Sequence, residues 1–224
     1  MQSTVLTRTY KEIEYDTSEI LRYAGCKGEA ASEEMKQLVQ ECIDECEEAD
    51  AFSYKVAYRF MSVCFSGEGG ENVDAAGDVV EETAGDVSNR AGAIDFGLMK
   101  VCSNDLTKNL KGCTGCIFMA ATIGYGIDRL IAKYSRLDSA KALFMQAIGA
   151  QKVESLCDAF CRDIKQNEGY KIRPRFSPGY GDLSLEIQRE FLSIVEGDKR
   201  LGITLGQGLL MSPSKSVTAI IGID

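Results

Sequence analysis

The chain has 224 residues, of which 45% are hydrophobic and 26% are charged, which is ordinary for a globular protein of one large or two small domains. Its formal net charge of −9 argues against binding to a nucleic-acid backbone, because phosphate recognition needs a basic face. It has no histidine, which excludes serine–histidine and cysteine–histidine nucleophile pairs and removes the commonest zinc ligand.

The sequence also bears on where the protein works. No apolar run reaches about 18 residues, so we expect no membrane span and no membrane partner. The first ten residues carry no apolar signal region, so we expect a cytoplasmic protein. In that compartment the nine cysteines, an odd number, are expected to be reduced thiols.

The N-terminal half is predicted to contain two helices, a strand and a loop. A short helix is predicted over 16–24, and Ser32, followed by two glutamates, fits the N-cap of a second helix. A strand is predicted over 56–65. Residues 66–90 are rich in glycine and acidic residues, which predicts a loop or an irregular hairpin. The second helix carries one apolar stripe at helical spacing: Met35, Leu38, Val39, Cys42, Ile43 and Cys46.

The C-terminal half is predicted to contain helices and strands without regular alternation. The elements expected in order are helix 103–110, strand 117–123, helices 127–134 and 139–166, helix 184–196, and strands 203–211 and 217–223. Ser103 is expected to cap the first of these helices, and Gly149 is expected to break the long one. The mixture favours an α+β fold over a doubly wound sheet.

The most distinctive segment is Arg-Pro-Arg-Phe-Ser-Pro-Gly-Tyr-Gly-Asp at 173–182, called the proline loop below. It holds two of the chain's three prolines, and proline fixes φ and removes a backbone donor, which predicts a stiff extended segment. Gly179 and Gly181 permit a tight turn and a close approach of backbone to a ligand. The loop is therefore predicted to hold a small polar molecule.

Three charged side chains are candidates for that molecule. The planar fork of Arg175 suits a carboxylate, although it could instead brace its own loop. Glu154 and Asp158 are four residues apart at the edge of an apolar helical stripe, where they either line a cleft or form a solvated flank. Tyr180 either contacts the ligand or packs against its own turn.

The cysteines are a weaker candidate for chemistry. Cys113-Thr-Gly-Cys116 has the spacing of a redox or metal pair, but no second pair or histidine completes a zinc site. We therefore predict no metal site. Two further pairs are spaced i,i+4 on apolar stripes, which favours buried packing: Cys42 with Cys46, and Cys157 with Cys161.

Six segments, in order over nearly the whole chain, resemble motifs of one known family. They are Ile20–Gly25 (ILRYAG), Ile94–Gly97 (IDFG), Leu106–Cys113 (LTKNLKGC), Ala120–Gly124 (AATIG), Arg175–Gly181 (RFSPGYG) and Pro213–Ile223 (PSKSVTAIIGI). Together they resemble the activation domain of cobalamin-dependent methionine synthase. The resemblance implies a single C-shaped α+β domain over 1–224, with a central antiparallel or mixed sheet flanked by helices, that binds S-adenosylmethionine.

The resemblance also implies which charged residues meet the ligand. In the family, an arginine five residues before the tyrosine pairs with the methionine carboxylate, which selects Arg175 over Arg173. A carboxylate on the preceding helix pairs with the methionine ammonium, which implies Asp158, with Glu154 as second choice.

The rest of the ligand is implied to lie against the proline loop. The backbone at Ser177 would meet the adenine edge, Gly179 would let the backbone approach the ligand closely, and Tyr180 would lie beside the ligand. The family also has an acidic residue near its N-terminus that contacts adenosine, and the sequence alone does not assign it to a position. No catalytic residue is implied, because no proton moves in the methyl step.

The implied activity is reactivation, as a component of a methyltransferase of methionine biosynthesis. Inactive cob(II)alamin, carried by a partner, takes one electron from a flavodoxin-like donor and a methyl group from S-adenosylmethionine. We expect the chain to act in trans on a cobalamin-binding methionine synthase subunit. A basic patch around Lys165, Lys171 and Arg173 could receive an acidic donor.

Two alternatives stay open at this point. The chain could serve another corrinoid methyltransferase, or bind S-adenosylmethionine without taking part in catalysis. It could also be a cysteine-based metal or redox protein, which would be purified with bound iron or zinc.

Overall fold

The computed structural model describes residues 4–26, 31–65 and 92–224, so the loop or hairpin predicted at 66–90 lies outside the described residues. The strands are β1 (Leu6–Tyr10), β2 (Tyr54–Ser62), β3 (Cys64–Phe65), β4 (Ala93–Asp95), β5 (Lys100–Cys102), β6 (Gly115–Thr122), β7 (Thr204–Leu205), β8 (Met211–Ser212) and β9 (Ser216–Ile223). The α-helices are α1 (Thr17–Tyr23), α2 (Glu33–Glu48), α3 (Asn104–Asn109), α4 (Gly126–Leu137), α5 (Ser139–Asn167), α6 (Gln188–Ile194) and α7 (Gly197–Leu201).

A four-stranded sheet in the order β1–β2–β6–β9 forms the centre of the fold, and every neighbouring pair is antiparallel. All eight residues of β6 are buried, as expected for an inner strand covered on both faces. Its side chains alternate between two apolar cores, with Ile117 and Met119 in one and Phe118 and Ala120 in the other. The fold is therefore α+β, as the sequence predicts.

Helices α1, α2, α4 and α5 cover one face of the sheet, while β4, α3, α6 and α7 contribute to the core on the other. Ser32 caps α2 by accepting a hydrogen bond from Met35 N at 3.3 Å, as predicted. Ser103 likewise caps α3, accepting from Leu106 N at 3.0 Å. Asp138 caps α5, the longest described helix, which runs along the sheet and carries both candidate carboxylates.

Three predicted elements differ from the structure. Residues 203–211 do not form one strand, because a 3-10 turn at Gln207–Leu209 separates the short antiparallel strands β7 and β8. The helix predicted over 184–196 begins as a 3-10 turn at Leu185–Ile187 and ends at Ile194. The break predicted at Gly149 is absent, since α5 is continuous there; a Cβ at this position would lie 2.9 Å from Cε of Lys215, so the glycine makes room for that side chain.

Strand β1 was not predicted, because it lies at the sheet edge and its residues are exposed or half-buried rather than clearly apolar. Across the part of the chain that the structure describes, no helix combines the length and apolar character needed to cross a membrane.

Candidate functional site

The proline loop is held along the free edge of β9. Phe176 and Ile220 exchange two backbone hydrogen bonds, of 2.9 and 2.8 Å, and Arg173 N donates to Gly222 O at 2.8 Å. The loop thus extends the central sheet by a few residues while its prolines, which cannot donate, lie at the edge where no further strand needs a partner. The segment that follows α5 is therefore fixed to the core rather than free.

The far end of the loop is attached to the start of α3. The Asp182 carboxylate accepts hydrogen bonds from Ser103 Oγ, from Asn104 N at 2.7 Å and from Asp105 N at 3.2 Å. The hydroxyl of Ser103, followed by these backbone amides, holds the pKa of Asp182 below its ordinary value. Gly181 has a φ of +56°, and a Cβ there would lie 2.7 Å from Asp105 Oδ2, so glycine suits this turn because a larger residue would be strained and would displace the Asp105 side chain.

Within the part of the loop that pairs with β9, Arg175 points at α5 and contacts both predicted carboxylates. Its Nη1 donates to Asp158 Oδ1 at 2.5 Å and its Nη2 donates to Glu154 Oε2 at 2.9 Å. The Arg175 side chain is 22% exposed, against 43% for Glu154 and 59% for Asp158. The three predicted charged residues therefore form one cluster, and it is Arg175 and not Arg173 that joins it.

The charge of Arg175 is maintained in spite of its burial. Burial by itself works against the charge, but the hydrogen bond to Asp158, together with neighbouring groups, raises the pKa of Arg175 above its ordinary value. Nη1 also donates to the Cys161 sulfur at 3.8 Å, and burial raises the pKa of that thiol. The site thus holds a permanent cation beside a thiol that stays protonated at neutral pH.

Arg173 has different partners. Its Nη2 lies 3.2 Å from Asp224 Oδ1 and donates to Lys111 O at 3.3 Å, so it ties the loop to the end of β9 and to the chain after α3. Two arginines separated by one proline are therefore distinguished by which side of the loop each one faces.

A cleft of about 560 Å³, called the proline-loop cleft, opens beside the Arg175 cluster. Its walls come from α5, the loop and β9, and include Glu154, Asp158, Cys161, Arg175 and Ser177. Lys165 of α5 and Arg173 of the loop also line the cleft, so it contains positive as well as negative side chains. The arrangement offers one fork-shaped cation and two anions within a few ångströms, which is what a zwitterionic amino acid requires.

Gly179 and Tyr180 lie at the tip of the loop rather than among the residues that line this cleft. Gly179 has a φ of +86° and donates to Leu183 O, and Tyr180 N donates to Ser177 O at 3.1 Å, which closes the predicted tight turn. The Tyr180 ring is 69% exposed and packs edge-on against Phe176, with 5.4 Å between centroids. Their contact with a ligand remains a prediction.

A second cleft of about 710 Å³, called the N-terminal cleft, lies on the other side of Asp158. It runs between α5 and residues 10–18, and Asp158 lines both clefts. Among its walls are Glu12, Glu14 and Asp16, which are the acidic residues that the structure brings near the predicted site from the N-terminal segment. Asp16 is also the N-cap of α1, accepting from Glu19 N at 3.0 Å.

Two adjacent residues of α5 hold the N-terminal segment in place, and sequence reasoning identified neither. Gln151 Nε2 donates to Glu14 O at 3.2 Å, and the buried Lys152 Nζ donates to Ile13 O. Lys152 is 1% exposed, with Nζ 3.0 Å from the centroid of the Tyr15 ring, and burial lowers its pKa to about 8. The only available signal was a polar Gln-Lys pair in an otherwise apolar stretch of helix.

The cysteine pair at 113 and 116 is buried, and burial raises the pKa of both thiols. Cys113 Sγ donates to Asp224 Oδ1 at 3.3 Å. Raised pKa values leave little thiolate at neutral pH, which disfavours a redox role for the pair. Within residues 4–26, 31–65 and 92–224 the structure contains no group of three or more Cys, Asp or Glu side chains placed to hold a metal ion.

Comparison with known proteins places this geometry in a known fold. No family model matches the chain, and no curated protein does. Among solved structures, the crystal structure of the MetH reactivation domain bound to AdoHcy matches with a TM-score of 0.65, covering 99% of this chain and 78% of that chain. The chain has the fold of the MetH reactivation domain. At 13% sequence identity the likeness concerns the fold, and it confirms the architecture that the six sequence motifs imply.

Proposed function

We propose that the chain binds S-adenosylmethionine and supports the reductive methylation of oxidised cob(II)alamin, thereby reactivating a cobalamin-dependent methionine synthase. The observation that carries the proposal is the cluster of Arg175, Asp158 and Glu154, which joins the proline loop to α5 and lines the proline-loop cleft. The solved structure that shares the fold is described as binding AdoHcy, the demethylated form of the same ligand.

The charges of the cluster match the amino-acid end of S-adenosylmethionine. The ligand carboxylate pairs with Arg175, and the ligand ammonium pairs with Asp158, or with Glu154 one turn earlier. Without ligand, Arg175 pairs with both carboxylates, so binding exchanges internal ion pairs for contacts of Arg175 and of one carboxylate with the charged groups of the ligand. Such an exchange keeps the site ordered before the ligand arrives, which limits the entropy that binding must overcome.

The protein's part in the chemistry is to position the bound ligand and to enclose its reacting methyl group. S-adenosylmethionine supplies an electrophilic methyl group when it is bound, and the overall reaction consumes cob(II)alamin and one electron to give methylcobalamin and S-adenosylhomocysteine. The ion pairs fix one end of the ligand on α5 and on a loop anchored to the sheet, so the methyl group is presented in one place. No proton is transferred in the methyl step, so no acid–base residue is required.

The corrinoid and the electron donor are proposed to meet the same surface. Lys165 and Arg173 line the proline-loop cleft, Lys171 precedes the lining residue Ile172 in the chain, and Lys165 and Lys171 are exposed; these three residues are called the basic rim. An acidic, flavodoxin-like electron donor would be attracted to this rim although the whole chain is acidic. The corrinoid would be carried by another domain or protein that covers the cleft during methyl transfer.

A reactivation assay tests the proposal. Corrinoid protein poised as cob(II)alamin, a reductant, S-adenosylmethionine and the purified chain should give the methylcobalamin absorption spectrum at a rate that increases with the amount of chain added. Binding of S-adenosylmethionine without any such increase would leave a ligand-binding module and overturn the reactivation role. An increase with a corrinoid protein that does not serve methionine synthesis, and none with methionine synthase, would move the role to another methyltransferase.

A further inference from the structure

Helix α3 contacts the proline loop at both ends. At the start of the loop, Asn109 Nδ2 donates to Pro174 O at 3.3 Å. At its end, the Asp182 carboxylate accepts hydrogen bonds from one hydroxyl and two backbone amides at the start of α3. Strand β9 pairs with the first half of the loop, through Arg173 and Phe176, so the hydrogen bonds of Asp182 attach the second half to a different part of the fold.

Asp182 lies within two linked turns at the tip of the loop. Tyr180 N donates to Ser177 O at 3.1 Å, which closes the first turn. Leu183 N donates to Tyr180 O at 3.1 Å, and Leu183 O accepts from Gly179 N at 2.9 Å. Leu183 follows Asp182 in the chain and is 2% exposed, so it bonds to the tip from a buried position. A carboxylate held on α3 therefore also helps to hold the turn from Ser177 to Tyr180.

This turn begins at a residue that offers a free donor to the proline-loop cleft. Phe176 directs its own N–H and C=O at Ile220 of β9, and in an antiparallel pair the next residue directs its N–H the opposite way. In the described part of the chain the Ser177 N–H has no hydrogen-bond partner, and Ser177 lines the cleft. A ligand whose amino-acid end pairs with Arg175 places its adenosine end elsewhere in this cleft, where the Ser177 N–H can donate to a ring nitrogen of adenine.

We propose that Asp182 is a positioning residue, whose attachment to α3 holds the Ser177–Tyr180 turn in the shape that receives the adenosine end of the ligand. Asp182 itself is exposed and is not among the residues that line the proline-loop cleft, so it acts through the turn and not by touching the ligand. The inference rests on the proposed function and adds to it a residue outside the cleft that determines affinity.

The test compares two carboxylates that each hold a turn. Asp182→Ala removes the attachment to α3, and the control Asp95→Ala removes a carboxylate that accepts from Gly97 N at 2.7 Å between β4 and β5. Wild type and both variants are titrated calorimetrically with S-adenosylmethionine and with 5′-methylthioadenosine, which lacks the amino-acid end. The same preparations enter the reactivation assay at several S-adenosylmethionine concentrations. If Asp182→Ala does not fold, Asp182→Asn, which keeps one acceptor oxygen, takes its place.

Asp182→Ala is expected to bind both ligands about fivefold more weakly than wild type and Asp95→Ala do, because a turn that is no longer held must be ordered as the ligand binds. In the reactivation assay the half-saturating concentration of S-adenosylmethionine should rise by a similar factor, while the rate at saturation stays unchanged. Asp182→Asn should show the same changes to a smaller extent.

A merely structural Asp182 would reduce the number of folded molecules, which lowers the binding stoichiometry and the rate at saturation and leaves both dissociation constants at their wild-type values. That result, or a variant that matches wild type throughout, overturns the inference but not the proposed function. Weaker binding of S-adenosylmethionine alone would place the effect at the amino-acid end and would also overturn the inference. Wild type that binds neither ligand overturns both.

Discussion

Replacing Arg175 by Met is the most informative single change. The substitution removes the only guanidinium in the cluster and keeps an apolar side chain of similar length against Cys161. In the ligand-free protein it deletes contacts of 2.5 Å to Asp158 and 2.9 Å to Glu154. Both carboxylates are more than a third exposed and can be solvated, so the free energy of unfolding should fall by only about 1 kcal/mol.

The effect on ligand binding should be larger than the effect on stability. A charge-assisted hydrogen bond to a carboxylate contributes roughly 1.5–3 kcal/mol, so loss of Arg175 should weaken S-adenosylmethionine about ten- to a hundredfold. Isothermal titration calorimetry measures the dissociation constant, and urea denaturation measures the stability of the same preparation.

The matched control is Arg173→Met, two residues earlier in the same loop. Arg173 also lines the proline-loop cleft, but it bonds to Asp224 and to Lys111 O on the other side of the loop. The Arg173→Met substitution should therefore change the affinity for S-adenosylmethionine by less than about threefold. Equal weakening by the two variants, or no weakening by Arg175→Met, would refute the reasoning.

Three further predictions concern stability. Burial lowers the pKa of Lys152 to about 8, so between pH 8 and its ordinary pKa of about 10.5 the unfolded chain holds the lysine proton and the folded chain does not. Relative to Lys152→Met, the free energy of unfolding of wild type should therefore rise by about 2–3 kcal/mol from pH 7 to pH 10. Urea titrations measure this difference, and a difference that stays constant with pH would contradict the prediction. Asp182→Asn should destabilise the chain at neutral pH. Because the pKa of Asp182 is lowered in the folded chain, the difference in melting temperature between wild type and variant should shrink as the pH falls below the ordinary pKa of an aspartate. Gly126→Ala places a Cβ 2.4 Å from Ala51 O, a backbone atom, and should lower the free energy of unfolding by more than about 2 kcal/mol.

Much of the fold can be predicted from the sequence because local patterns determine it. Strand β6 is a continuous apolar run and α5 has a regular apolar stripe, and both lie where periodicity places them. The strand predicted over 203–211 is wrong because composition cannot distinguish a short hairpin from one apolar strand. The break predicted at Gly149 is wrong because a contact with Lys215, distant in sequence, determines the role of that glycine.

Part of the candidate site can be predicted from the sequence, and part of it cannot. The family resemblance, through the spacing to Tyr180, selects Arg175, and helical periodicity places Glu154 and Asp158 on one side of α5, so the members of the cluster can be predicted. The N-terminal cleft cannot, because it depends on Gln151 reaching Glu14, a partner 137 residues away, and no local pattern encodes such a contact.

The central claim is that the chain binds S-adenosylmethionine through the amino-acid end of the ligand. Calorimetric titration of wild type with S-adenosylmethionine and with 5′-methylthioadenosine, which lacks that end, tests it most directly. The account predicts saturable binding of one S-adenosylmethionine per chain, and binding of 5′-methylthioadenosine at least about tenfold weaker. No binding of S-adenosylmethionine at millimolar concentration, or equal affinity for the two ligands, would contradict it.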